Sequence, residues 1–153
     1  MRGTVAGGPS SQSPQPSGTA ADVMGVALTT VEPYAHVAAA AYLMKHAGAR
    51  ALVVVDGEQA NRPVGLITEA DVCHAVADGK DVNDVRIEDL MTMSPTVIQS
   101  RTTIRDAANL MMAGHFRHLP VVDETGLAGM VDIEDICRTL LDRPSRESRP
   151  PLG

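Results

Sequence analysis

Apolar and polar residues alternate along the chain in a pattern that divides it into short elements, and these occur twice in the same order. Extended pieces at 28–31 and 95–98 precede two segments with helical spacing. In the first, about 34–46, Val37, Ala40, Ala41 and Met44 share one face; in the second, 104–113, Ile104, Ala107, Ala108 and Met111 do. Glu32-Pro33 opens the first helix, since proline is favoured in a first turn, and Thr103 with Asp106 has capping-box spacing for the second. Gly48 and Gly114 mark where the chain must leave each helix. Continuous apolar runs at 52–55 and 119–122 then predict strands buried on both faces. A turn leads to a second strand at 64–67 and 128–131, and a closing helix follows at 69–78 and 133–142.

Laid on itself at an offset of 67, the sequence places 23–56 on 90–123 with 11 identities in 34 pairs. Met24/Met91, Thr29/Thr96, Arg50/Arg117 and Asp56/Asp123 are among them. The match resumes at an offset of 64 with Gly65/Gly129, Asp71/Asp135 and Cys73/Cys137, the three-residue excess lying in the turn-rich stretch 57–63. Each unit reads as β-α-β-β-α, about 55 residues long, too small to bury a comfortable core alone. The expected fold is therefore α/β (α+β-like), with two repeats packed through their small sheets about a pseudo-twofold axis. Repeat 1 is placed at 19–80 and repeat 2 at 81–143. The stretches 1–18 and 144–153, rich in Gly, Pro and Ser or in Pro and Arg, are expected to be disordered tails.

Composition narrows the class of partner. Of 153 residues 44% are apolar, but only Tyr34, Tyr42 and Phe116 are aromatic, so the core must be aliphatic and no stacking platform for nucleic acid is available. The net charge is −6; each tail carries +1, so residues 19–143 hold −8, a body that repels nucleic acid and anionic membranes. The longest unbroken apolar run, 37–44, is eight residues, far short of the roughly 20 that span a bilayer. With no apolar stretch of signal-peptide length at the N-terminus, a cytoplasmic location is expected. Cys73 and Cys137 are too few for a disulfide scaffold and read as buried thiols; a redox bridge between these equivalent positions is the other reading.

The strings Val-Val-Val-Asp (53–56) with Val-Gly-Leu-Ile-Thr-Glu-Ala-Asp (64–71), and Arg-His-Leu-Pro-Val-Val-Asp (117–123) with Ala-Gly-Met-Val-Asp-Ile-Glu-Asp (128–135), resemble tandem cystathionine β-synthase (CBS) domains. A pair of such domains is called a Bateman module, and the resemblance covers 19–142. It implies two clefts between the paired sheets that bind adenosyl ligands such as AMP, ADP, ATP or S-adenosylmethionine. It also implies a homodimer joined through the helices, with exposed ends able to receive a protein partner.

Thr68 and Asp71 form a capping box at a strand-to-helix junction. The resemblance adds a second role, in which the Asp71 carboxylate accepts hydrogen bonds from ribose hydroxyls with Thr68 nearby, and the two roles are compatible. Asp132 and Asp135 are the matching residues of the second repeat. The family usually has Ser or Thr at the first of these positions; Asp132 caps as well but disfavours phosphate by like charge. Unequal sites are expected, the Thr68/Asp71 cleft being the nucleotide site. Arg50, Arg117 and His118 precede the buried strands where the family places phosphate contacts, and a surface ion pair is the alternative. Thr29, Thr30, Thr96 and Val97 align with the backbone that cradles adenine in the family.

No catalytic set emerges. No Ser or Cys has a positioned base, the glycines form no phosphate-binding fingerprint, and the histidines near His115 and Cys73 lack the ligand count of a metal site. Taken with the resemblance, which implies the ligand, the sequence reads as a regulatory protein without catalytic cofactor that senses adenosine nucleotides. The alternative is a ligand-free interaction or dimerisation module, related to stress.

Overall fold

The computed structural model describes residues 18–26, 28–57 and 59–142. The expected tails at 1–18 and 144–153 lie outside the described residues, apart from Gly18. Along the chain run α1 (Ala20–Val23), β1 (Thr30–Val31), α2 (Val37–Ala47), β2 (Ala51–Asp56), β3 (Gln59–Thr68) and α3 (Glu69–Ala77). A 3-10 turn at Ile87–Asp89 leads to β4 (Thr92–Met93), β5 (Ile98–Gln99), α4 (Ile104–Gly114), β6 (His118–Asp123), β7 (Gly126–Asp132) and α5 (Ile133–Leu141). The result is a mixed α/β fold with two small sheets, ordered β1-β2-β3-β4 and β5-β6-β7.

The unbroken apolar run of β2 is explained by burial on both sides. Leu52 and Val54 point into the first helix-covered core with Val37, Ala40 and Met44. Ala51, Val53 and Val55 join Leu66 on the other face, where Leu127 and Met130 of β7 pack against them, so the two sheets meet back to back. The core is aliphatic throughout, and Tyr34, Tyr42 and Phe116 are exposed.

Three local expectations change. Helix α2 starts at Val37 after the N-cap His36, because Pro33 and Tyr34 lie in a turn closed by the Ala35 amide donating to the Glu32 carbonyl. Chain exit from α4 falls not on Gly114 but on His115, which adopts the left-handed conformation at φ 58°, as Gly48 does at φ 65° after α2. These two positions are partners at the offset of 67. Thr103 Oγ1 accepts from the Asp106 amide at 3.0 Å, but the return bond that would complete a capping box is not made among the described residues.

Cys73 and Cys137 are exposed, which corrects the expectation of buried thiols. Each follows an inward residue by one position, Val72 and Ile136, and one step on a helix turns a side chain by about 100°.

The ends of the repeats are exchanged. Strand β4, beyond the first repeat, pairs with β3 through Gly65 with Met93 and Leu66 with Thr92. Val82, Val85, Ile87, Leu90 and Met91 accordingly pack into the first core. In the reverse direction Ala20 is fully buried in the second core, with Val23 and Met24 against it. Gly25 exchanges two hydrogen bonds with Met130, at 2.9 and 3.1 Å, occupying on β7 the place β4 takes on β3.

Candidate functional site

Two equivalent hydrogen bonds set the geometry at the edge of the sheets. The Glu69 amide donates to the Arg50 carbonyl and the Ile133 amide to the Arg117 carbonyl, both at 2.9 Å. Each helix start is thereby fastened beside the residue that leads into the central strand, and both arginines border the same hollow. That hollow is a cleft of about 380 Å³ lined from the first repeat by Arg50, Leu66, Thr68, Glu69 and Ala70, with Thr92 of β4. From the second repeat come Pro95, Thr96, His115, Phe116, Arg117, His118, Asp132 and Ile133.

Both helix starts carry a capping box, and they differ in the amide bonds the cap residue makes. Thr68 and Asp71 make the full reciprocal box, the Asp71 amide donating to Thr68 Oγ1 at 3.2 Å and the Thr68 amide to Asp71 Oδ2 at 2.9 Å. In the second repeat Asp132 Oδ1 accepts from the Glu134 amide at 2.7 Å, and the Asp132 amide donates to Asp135 Oδ2 at 3.1 Å. Asp132 Oδ2 lies 3.1 Å from His118 Nε2, whose side chain is 11% exposed. That approach falls short of hydrogen-bond geometry, so the buried Nε2 has no hydrogen-bond partner among the described residues. Burial holds the imidazole below its usual pKa, with Arg117 and Arg50 adding to the effect and Asp132 opposing it. At the equivalent register position of the first repeat, Ala51 faces Thr68 and no such pair exists.

One ion pair among the described residues joins the two repeats. Arg50 Nη1 meets Glu134 Oε1 at 2.6 Å, linking the edge of the first repeat to the first turn of α5.

Of the residues singled out in the sequence, Arg50, Thr68, Thr96, Arg117, His118 and Asp132 stand together on the cleft wall. Thr68 and Asp132, assigned to separate clefts, share this one. Asp71 and Asp135 are half-buried and do not line the wall, each with one oxygen engaged by its own cap and Asp135 Oδ1 3.5 Å from Arg138. Thr29, Thr30 and Val97 lie off the wall. Sequence reasoning missed Glu134, Thr92 and Phe116. Thr92 arrives through strand exchange and Glu134 through a contact across 84 positions; neither carries a local signal. A second hollow of about 490 Å³, between 99–101 and 122–125, contains none of the expected residues. Among the described residues no cluster of metal-ligating side chains occurs and no helix is long and apolar enough to cross a membrane.

The CBS domain model matches residues 20–78 and 87–142. An uncharacterized 17.7 kDa protein of Acidianus ambivalens is 40% identical over 113 residues, 73% of this chain and 66% of that protein. The chain spans about half or less of the next two curated relatives. Among solved structures, CBSX2 in complex with AMP superposes with a TM-score of 0.66 at 28% identity, covering 82% of this chain and 97% of that one. A hexameric CBS-CP12 protein from bloom-forming cyanobacteria gives a TM-score of 0.74 at 26% identity, covering 88% and 77%. The duplicated strand and helix order, the back-to-back sheets and the matched residues agree: the chain belongs to the CBS domain family and carries the domain twice.

Proposed function

We propose that this protein is a regulatory module, not an enzyme, that binds an adenosine nucleotide in the cleft between its repeats. The observation that carries the reading is the convergence of Arg50 and Arg117 on one cleft, each offering a planar fork of donors suited to phosphate oxygens. Thr68 and Thr96 supply neutral polar groups on the same wall, and Asp71, bonded to Thr68 through the cap and with its second oxygen free of protein partners among the described residues, is the group we assign to the ribose hydroxyls. The AMP complex of the CBSX2 relative supports the ligand class. Occupancy would act by favouring one arrangement of the repeats over another, to the extent that the ligand binds the two differently. The expected setting is the cytoplasm.

Thermal denaturation against AMP, ADP, ATP and S-adenosylmethionine tests the reading. A ligand at 100 times its dissociation constant adds about 2.7 kcal/mol, a shift of several degrees for a chain of this size. In Asp71→Ala, compared with its own ligand-free baseline, the shift should shrink, with affinity falling about tenfold. No shift with any of the four compounds overturns the proposal.

A second reading is favoured by a different observation. Tyr42, Val76, Met112 and Leu141, on α2 to α5, are between 58% and 83% exposed, apolar side chains that association through the helices would cover. An interaction module that dimerises through these helices without ligand accounts for it. Sedimentation of the wild type and of Met112→Glu separates a homodimer from a monomer, independently of the nucleotide assay.

A further inference from the structure

We propose that Glu134 is a built-in competitor for phosphate at Arg50, so that the cleft selects ligands by charge and an anionic ligand breaks the ion pair that ties α5 to Arg50. The inference rests on the nucleotide reading for the identity of the natural ligand, but the contact itself does not. Arg50 lines the cleft, yet its Nη1 is held at 2.6 Å by Glu134 Oε1, a carboxylate oxygen that takes up a donor a phosphate oxygen would use. Arg117, its equivalent across the cleft, has no ion-pair partner among the described residues. One arginine is therefore available to any anion, while the other yields only to a ligand able to displace a carboxylate.

The displacement is energetically accessible. Both partners are more than half exposed, at 59% and 51%, and such pairs hold weakly. After release, Glu134 remains in the first turn of α5, where the helix dipole favours a carboxylate. The ion pair is the one that joins the repeats among the described residues, so its exchange for a ligand contact changes how α5 is tied to the first repeat. Asp132 and Glu69, which do line the wall, add negative charge that strengthens the discrimination against weakly anchored phosphates.

The test is calorimetric titration of the wild type, Glu134→Gln, Arg50→Ala and the double variant with adenosine, AMP, ATP and inorganic pyrophosphate. Glu134→Gln should bind the charged probes about two- to fivefold more tightly, with adenosine unchanged. The gain should vanish when Arg50 is already alanine, which separates competition at Arg50 from a general change of field. If nucleotides bind wild type and Glu134→Gln equally, the competitor role is wrong and the nucleotide reading stands. If only pyrophosphate binds, and more tightly to Glu134→Gln, the competitor role stands and the nucleotide reading falls. Binding of no probe to either protein overturns both.

Discussion

Met24 of the first repeat's lead-in lies over Gly129 of the second repeat: a Cβ built on Gly129 would come 2.7 Å from Met24 Sδ and 2.7 Å from the Gly25 carbonyl oxygen. The equivalent glycine, Gly65, is covered in the same way by Met91. The two glycines thus leave room for the segment that each core borrows from the other half of the chain. Gly129→Ala should destabilise by about 1–3 kcal/mol through overpacking, lowering Tm by about 3–10 °C. Gly65→Ala should cost less, because its tightest neighbour is the flexible Met91 side chain and its backbone neighbour, the Thr92 carbonyl oxygen, lies at 3.2 Å, whereas Gly129 meets the Gly25 carbonyl oxygen at 2.7 Å. Thermal denaturation of the two variants checks the order; equal and negligible effects would mean the borrowed segments are not packed as described.

Exchange of the end segments also predicts that the repeats do not separate cleanly. A fragment of residues 81–143 lacks Ala20, Val23, Met24 and the Gly25 bridge, while its own 82–91 is built to fill the other core. It should show little helical circular dichroism and poor amide dispersion, and the whole chain should unfold in urea as one cooperative transition. A well-folded fragment would refute the interdependence.

His118 should make stability fall with acid. Its pKa is depressed in the folded state by burial, against the opposing pull of Asp132, so below about 6.5 the unfolded chain takes up a proton that the folded chain resists. The contribution of neutral His118 is complete above that pH and is lost as pH falls through the folded value. Urea denaturation at pH 7.5 and at 5.5 should show a steeper loss for the wild type than for His118→Asn, and parallel losses would remove His118 as the cause.

Asp132→Thr makes the second helix start resemble the first. Threonine keeps the cap, so folding should be little affected, while removal of a carboxylate from the cleft wall should tighten AMP or ATP binding about three- to tenfold. Titration of the variant beside the wild type measures this, and weaker binding would show that Asp132 serves the ligand instead of opposing it.

The elements most legible from sequence were those with long period and a twin. Helices α2 and α4 and strands β2, β3, β6 and β7 each repeat at offsets of 67 or 64, and apolar spacing marked their buried faces. The pieces α1 and β4, four and two residues long, are too short to carry a period, and their partners are chosen by tertiary packing. Met24/Met91 and Gly65/Gly129 were nevertheless visible as matched pairs; what was not visible is that each methionine covers the glycine of the other repeat, Met24 over Gly129 of β7 and Met91 over Gly65 of β3. The cleft was partly legible because Arg50, Arg117, Thr68 and Asp132 sit at strand or helix boundaries. Glu134 was not, since a first-turn acid reads as an ordinary helix cap until its partner 84 residues away is in place. The cysteines were misplaced by hydrophobicity alone, when one helical step from Val72 and Ile136 would have turned them outward.

A core made only of aliphatic side chains leaves the molecule optically quiet. Without tryptophan, and with both tyrosines on the surface, intrinsic fluorescence will report neither unfolding nor cleft occupancy well. Phe116, on the cleft wall and 36% exposed, is the position at which an introduced indole would watch that space directly, against a background almost free of other emitters.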